Sequence, residues 1–131
     1  MGAKKPQLPP KNFVKPLPPP PPPTTKKRYV TVIVHEFKSD RESTVKEIKN
    51  FVKGRGFRLL ASGFYEHENV YDYQFTARNE KKALEYVNDC NEHFGRRVTT
   101  YAYRDYGLDS RPEIISPAPK SFRRYLDCYY P

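Results

Sequence analysis

The feature that most constrains this chain is where its prolines stand. Ten of the fourteen fall in residues 1–28, four fall from Pro112 onward, and none lies between Tyr29 and Arg104. Proline has no backbone N–H to give to a helix or a sheet ladder, so the proline-free stretch is the part that folds. The chain divides into a basic, proline-rich arm over 1–28, a folded body over 29–106 and an irregular tail over 107–131. At 131 residues it has room for one domain and its extensions.

Charge follows the same division. Lys4, Lys5, Lys11, Lys15, Lys26, Lys27 and Arg28 give the arm seven cations and no acid, whereas residues 29–106 hold 13 basic and 12 acidic side chains. The formal net charge of +9 thus belongs mainly to the arm. Like charges on an extended segment resist burial and attract polyanions. Pro18 to Pro23 form an uninterrupted run, which favours a stiff polyproline II rod and predicts a disordered or semi-rigid arm.

Within the body the periods alternate. Tyr29–Phe37 reads as a strand, with Val30, Val32 and Val34 on one face and Thr31, Ile33 and His35 on the other. The run from Thr44 to Glu47 fits a capping box opening a helix through Val45, Ile48, Phe51 and Val52, and Gly54 and Gly56 stop it. Phe57–Glu66 and Val70–Arg78 read as a hairpin joined at His67–Asn69. Asn79 is the expected N-cap of a second helix with an inner stripe of Ala83, Val87, Cys90 and Phe94, ended by Gly95. Arg97–Arg104 supplies a last strand.

This order predicts an α+β fold, a ferredoxin-like βαββαβ sandwich: a four-stranded antiparallel sheet with two helices on one face. Over residues 29–104 the topology resembles the RNA-recognition module, whose first- and third-strand aromatics stack bases on the open sheet face. Here the third strand alternates Tyr71, Tyr73 and Phe75 with Asp72, Gln74 and Thr76. Turning the aromatics outward would bury Asp72 and Gln74 against the helices, at a cost of roughly several kcal/mol if unpaired. The aromatics are therefore expected inward, and the resemblance carries no binding residues over. The open face is expected to hold Thr31, Ile33 and His35, then Leu60, Ser62 and Phe64; the fourth strand adds Thr99, Tyr101 and Tyr103 if Val98 and Ala102 are inside, and the opposite facing, with Val98, Thr100 and Ala102 outward, is equally credible. Such a face invites coverage by the C-terminal tail, a homodimer packed sheet to sheet, or bases stacked on Tyr101 and Tyr103.

Two further patterns bear on partners. Lys46, Lys49 and Lys53 form a stripe on the first helix, interrupted by Glu42 and Glu47. In the arm, Pro6, Pro9 and Lys11 have the PxxP-plus-cation spacing of SH3 ligands. Lys15, Pro18 and Pro21 repeat it with the cation first, and Leu17–Pro21 resembles EVH1 ligands. A plain spacer of this composition generates the same matches.

Chemistry-bearing constellations are missing from the pattern. Cys90 and His93 stand three apart on one helix without further ligands, and Cys90 belongs to the inner stripe, so no metal is expected. Gly54-Arg55-Gly56 lies between a helix and a strand, the reverse of a phosphate loop. No cofactor and no enzymatic activity are expected. No apolar run approaches a membrane span, no signal-peptide core is present, Pro6 spoils an N-myristoylation signal, and two cysteines make no disulfide framework. The expectation is a cytoplasmic or nuclear protein that binds no membrane. Its expected function is association with RNA or single-stranded nucleic acid through Lys4, Lys5, Lys26, Lys27, Arg28, the lysine stripe, Tyr101 and Tyr103. The alternative is an adaptor whose arm docks SH3, EVH1 or profilin-like partners.

Overall fold

Val30–Phe37 forms strand β1, which is buried on both faces over most of its length. A computed structural model describes residues 28–130 apart from Ser39 and Leu108. After β1 come α1 (Arg41–Val52), β2 (Arg58–Tyr65), β3 (Val70–Ala77), α2 (Glu80–Phe94), β4 (Thr99–Asp105), β5 (Glu113–Ile114) and α3 (Lys120–Tyr129). The strands form one antiparallel sheet in the order β2-β3-β1-β4-β5. The fold is α+β, with five strands where the sequence leads one to expect four, and three helices where it leads one to expect two.

Helices α1 and α2 pack on one face. Ile48 from α1 and Ala83, Tyr86, Val87, Cys90 and Phe94 from α2 close over Ile33, Phe37, Tyr73, Phe75 and Ala102 of the sheet. Asn79 caps α2 as expected, its side chain accepting from the Lys82 N–H at 3.0 Å. The first helix starts earlier than the expected capping box. Asp40 takes a left-handed conformation at the cap, its carbonyl accepts from the Thr44 N–H, and Thr44 is buried inside the helix.

Two facings differ from expectation. On β1 it is Thr31, Ile33, His35 and Phe37 that face the helices, while Val32 and Val34 face the opposite side. Both rows of β1 are rich enough in apolar groups to be buried, so alternation alone does not choose between them. His35 settles inside because both ring nitrogens find partners there. On β2 an irregularity between Leu59 and Ala61 shifts the register, so Phe64 pairs with Tyr71 and packs on its ring at 4.6 Å. A bulge of this kind exchanges the faces of every residue after it; Phe64 therefore leaves the expected open face.

The residues after 106 are not irregular throughout. Glu113–Ile114 adds a short strand beside β4, and α3 lays Phe122 against Tyr101 and Tyr103 with ring centroids 4.9 and 5.1 Å apart. A second apolar cluster of Val32, Val34 and Tyr101 results, with Tyr103, Ala118 and Phe122 at its margin. Arg111 fixes the far end of α3, donating to the carbonyls of Leu126 (3.3 Å) and Tyr130 (2.9 Å) and to Asp127 (2.8 Å). The Tyr130 carbonyl is one of the orphans a helix C-terminus offers to a cation, and the Leu126 carbonyl, which already accepts from the Tyr130 N–H at 2.8 Å, takes Arg111 as a second donor.

Candidate functional site: an acidic, tyrosine-walled groove

The sheet register places two carboxylates side by side on the face that α3 partly covers. Glu36 and Asp72 are cross-strand partners, as are Val34 and Gln74 in the next row. On the other flank of β1, Tyr101 pairs with Val34 and Tyr103 with Val32. Because α3 lies over the β4 side and leaves the β3 side open, a groove of about 350 Å³ runs between them. Glu36, Glu68, Asp72 and Gln74 line it together with Tyr65, Tyr103, Phe122 and Tyr125.

Each acid is held differently. Glu36 accepts a hydrogen bond from the Tyr101 hydroxyl at 2.7 Å. Burial nonetheless pushes its carboxyl above the usual range, against the pull of the Tyr101 bond and with help from the charges of Asp72 and Glu68. Asp72 is only 5 % exposed. Its Oδ2 accepts from Gln74 and, at 3.4 Å, from the Tyr65 hydroxyl, whereas Oδ1 is buried with no hydrogen-bond partner. Gly63, opposite Asp72 in the register, makes the space: a Cβ there would stand 3.0 Å from Oδ1. Burial and the nearby Asp72 charge push the Tyr65 phenol up to about 12, and burial raises that of Tyr103.

Like charges directly opposite on a sheet destabilise it, and a buried carboxylate oxygen without a donor adds to the cost. There is no cation among the described residues that line the groove. Among the described residues no cluster of three or more His, Cys, Asp or Glu side chains is placed to hold a metal ion. A cation bearing several N–H donors, an ammonium or a guanidinium, placed in the groove would relieve the repulsion between Glu36 and Asp72 while its stem packs on the tyrosines.

The residues singled out from the sequence are scattered. Tyr101 is 2 % exposed, under Phe122 and tied to Glu36, so neither of its ring faces is open to a base. Tyr103 is partly covered by the same ring. Lys46, Lys49 and Lys53 are exposed along α1, on the helical side of the sheet. None of them is in an ion pair among the described residues, since Glu47 is taken by Arg97 at 2.9 Å and His93 at 3.1 Å. Arg28 is exposed at the entry to β1. The remaining candidates, Lys4, Lys5, Lys26 and Lys27 with Pro6, Pro9, Lys11, Lys15, Pro18 and Pro21, lie outside the described residues.

Cys90 and His93 diverge. The thiol lies in the core 3.8 Å from the His35 ring, and burial pushes it up to about 11, which keeps it protonated at neutral pH. His35 itself is fully buried. Its Nδ1–H donates to the Tyr73 carbonyl at 3.0 Å and its Nε2 accepts from the Tyr86 hydroxyl at 2.7 Å. No helix among the described residues is long and apolar enough to cross a membrane. No protein-family model and no curated protein matches this chain.

Proposed function

We propose that this chain is a non-enzymatic interaction protein whose groove receives a cationic segment of polypeptide, a lysine or arginine side chain presented on an extended, apolar stretch. The observation that carries this reading is the Glu36–Asp72 pair: two acids forced together, one of them 5 % exposed with an oxygen left unpartnered. Tyr65, Tyr103, Phe122 and Tyr125 supply the flat apolar walls that extended and proline-bearing peptides favour, and the acids supply the rim that meets a flanking cation. The first four strands, in the order β2-β3-β1-β4, support a ferredoxin-like reading of the body, with β5 and α3 added at its edge and over its face. The arm, with its two PxxP-and-cation patterns, serves the same adaptor role toward SH3, EVH1 or profilin-like partners. The test is a titration of isotope-labelled full-length chain with a short lysine-proline peptide. Amides of Glu68, Val70 and Ser121 should shift, and Glu36→Gln with Asp72→Asn should abolish the shifts. A peptide that leaves those amides unmoved refutes the reading.

A second reading is favoured by charge: the seven-cation arm and the unpaired Lys46, Lys49 and Lys53 suit a polyanion, with RNA or single-stranded nucleic acid the ligand. Counterion release then demands affinity that falls steeply from about 50 to about 200 mM salt and drops when residues 1–28 are deleted. Affinity unchanged by that deletion removes this reading.

A further inference from the structure

The chain carries, in its own arm, a segment of the chemistry that the groove lacks. We propose that the stretch from Lys15 to Pro23 folds back and occupies the groove of the same molecule, placing the Lys15 ammonium on Glu36 and Asp72 and the proline run on the tyrosines. This rests on the groove being a cation-and-peptide site, and goes further by naming its occupant.

Three observations converge. The first is complementarity: the groove holds Glu36, Glu68 and Asp72 with no cation among the described residues that line it, and the arm holds seven cations with no acid. The second is the acid pair itself, Glu36 and Asp72 facing each other across the β1–β3 ladder at the wall of the groove. The third is reach. From Val30 to Glu36 is six residues of β1, about 20 Å at strand rise. Lys15 precedes Val30 by fifteen residues, which at polyproline rise span up to about 46 Å. Lys15 therefore reaches the acids with slack for the turn. Lys27, three residues before Val30, commands at most about 11 Å of backbone. Chain length thus excludes the cations that follow the prolines, and of the four that precede them Lys15 is the one adjoining the proline run.

Affinity need not be high. A tether this short gives an effective concentration of order millimolar, so a contact that is weak between separate molecules is substantially occupied within one. The consequence is competition: while Lys15–Pro23 lies in the groove, its PxxP face is unavailable to an SH3-like partner. A partner gains the arm only by displacing it from the acids.

A spin label tests this on the full chain. Leu17→Cys with Cys128→Ser leaves one reactive thiol, because Cys90 is buried. With the label in place, amides of Glu68, Val70 and Ser121 should lose intensity while those of Glu92 and His93 on the opposite side of the sheet keep theirs. Lys15→Gln should restore the lost intensity, and Glu68→Gln, an exposed change that leaves the core untouched, should restore it in part by lowering the negative charge of the groove. Equal broadening on both sides of the sheet, no broadening, or broadening that occurs only between separate copies in a mixed sample overturns the proposal. Adding a peptide of residues 11–27 separates the two failures. Groove amides that shift with the peptide but never sense the label leave the cation site standing and remove the arm as its occupant. Groove amides that respond to neither bring both down.

Discussion

Acid should unfold this protein partly through one side chain. His35 is fully buried between Phe75, Tyr86 and Cys90, with both ring nitrogens engaged. Burial pulls its pKa from the ordinary 6.5 down to about 4, the hydrogen bond to the Tyr73 carbonyl acting in the opposite direction. The unfolded chain takes up a proton as pH falls through 6.5, while the folded chain refuses it until near 4. Stability held in full above pH 6.5 is therefore lost progressively toward pH 4, by about 3 kcal/mol at 1.36 kcal/mol per pH unit. Other groups titrate in the same window, and the raised Glu36 contributes with the opposite sign, so the variant is needed as a reference. In urea denaturation at a series of pH values, His35→Gln should be the less stable protein at pH 7, because the Tyr86 hydroxyl loses its acceptor. Its deficit should shrink as pH falls, since glutamine has no proton to take up. A deficit the same at about pH 4 as at pH 7 refutes the reasoning.

Arg111→Ala removes the donors to the Leu126 and Tyr130 carbonyls, so hydrogen exchange in α3 should quicken by an amount corresponding to about 1 kcal/mol while α2 is unaffected; unchanged exchange means the cap contributes nothing. Phe122→Ala uncovers Tyr101 and Tyr103 and should cost about 2–3 kcal/mol in urea denaturation, whereas a negligible loss would show that α3 does not hold to the sheet. Gly63→Ala sets a methyl group 3.0 Å from Asp72 Oδ1, displaces that carboxylate and should weaken capture of a lysine-proline peptide more than it lowers the melting temperature; unaltered capture argues that Asp72 takes no part. Peptide binding should tighten as pH rises through the elevated titration of Glu36, because the ionised form attracts the cation, and a pH-independent affinity speaks against Glu36 as a contact.

Local signals in the sequence were enough for the parts whose periods are unambiguous. Asn79 as a cap, the stripe of Ala83, Val87, Cys90 and Phe94, and the inward turn of Tyr73 and Phe75 all follow from spacing and from the cost of burying Asp72 and Gln74 against helices. The facing of β1 does not follow, since VTVIVHEF offers two apolar rows and the strand is central. The flip of Phe64 depends on a bulge that no residue of β2 announces. Helix α3 did leave a signal: Phe122, Tyr125, Leu126 and Tyr129 recur at i, i+3, i+4 and i+7. The surrounding Pro117, Pro119, Arg123 and Arg124 obscure it. The groove was hidden for a different reason. Glu36, Asp72, Tyr65 and Tyr125 are far apart in the chain, and only strand register and the docking of α3 bring them together.

Among the described residues strand β2 has a neighbour on one flank only, and all eight of its residues are exposed, Leu59, Leu60, Phe64 and Tyr65 among them. An unguarded margin of that length would ordinarily recruit further strands and extend into fibres. The irregularity between Leu59 and Ala61 interrupts the regular ladder of β2, and a bulge of this kind twists an edge away from the even row of donors and acceptors that an incoming strand would pair with. What distorts the ladder inside the molecule also makes that margin a poorer template for a further strand than a regular edge would be.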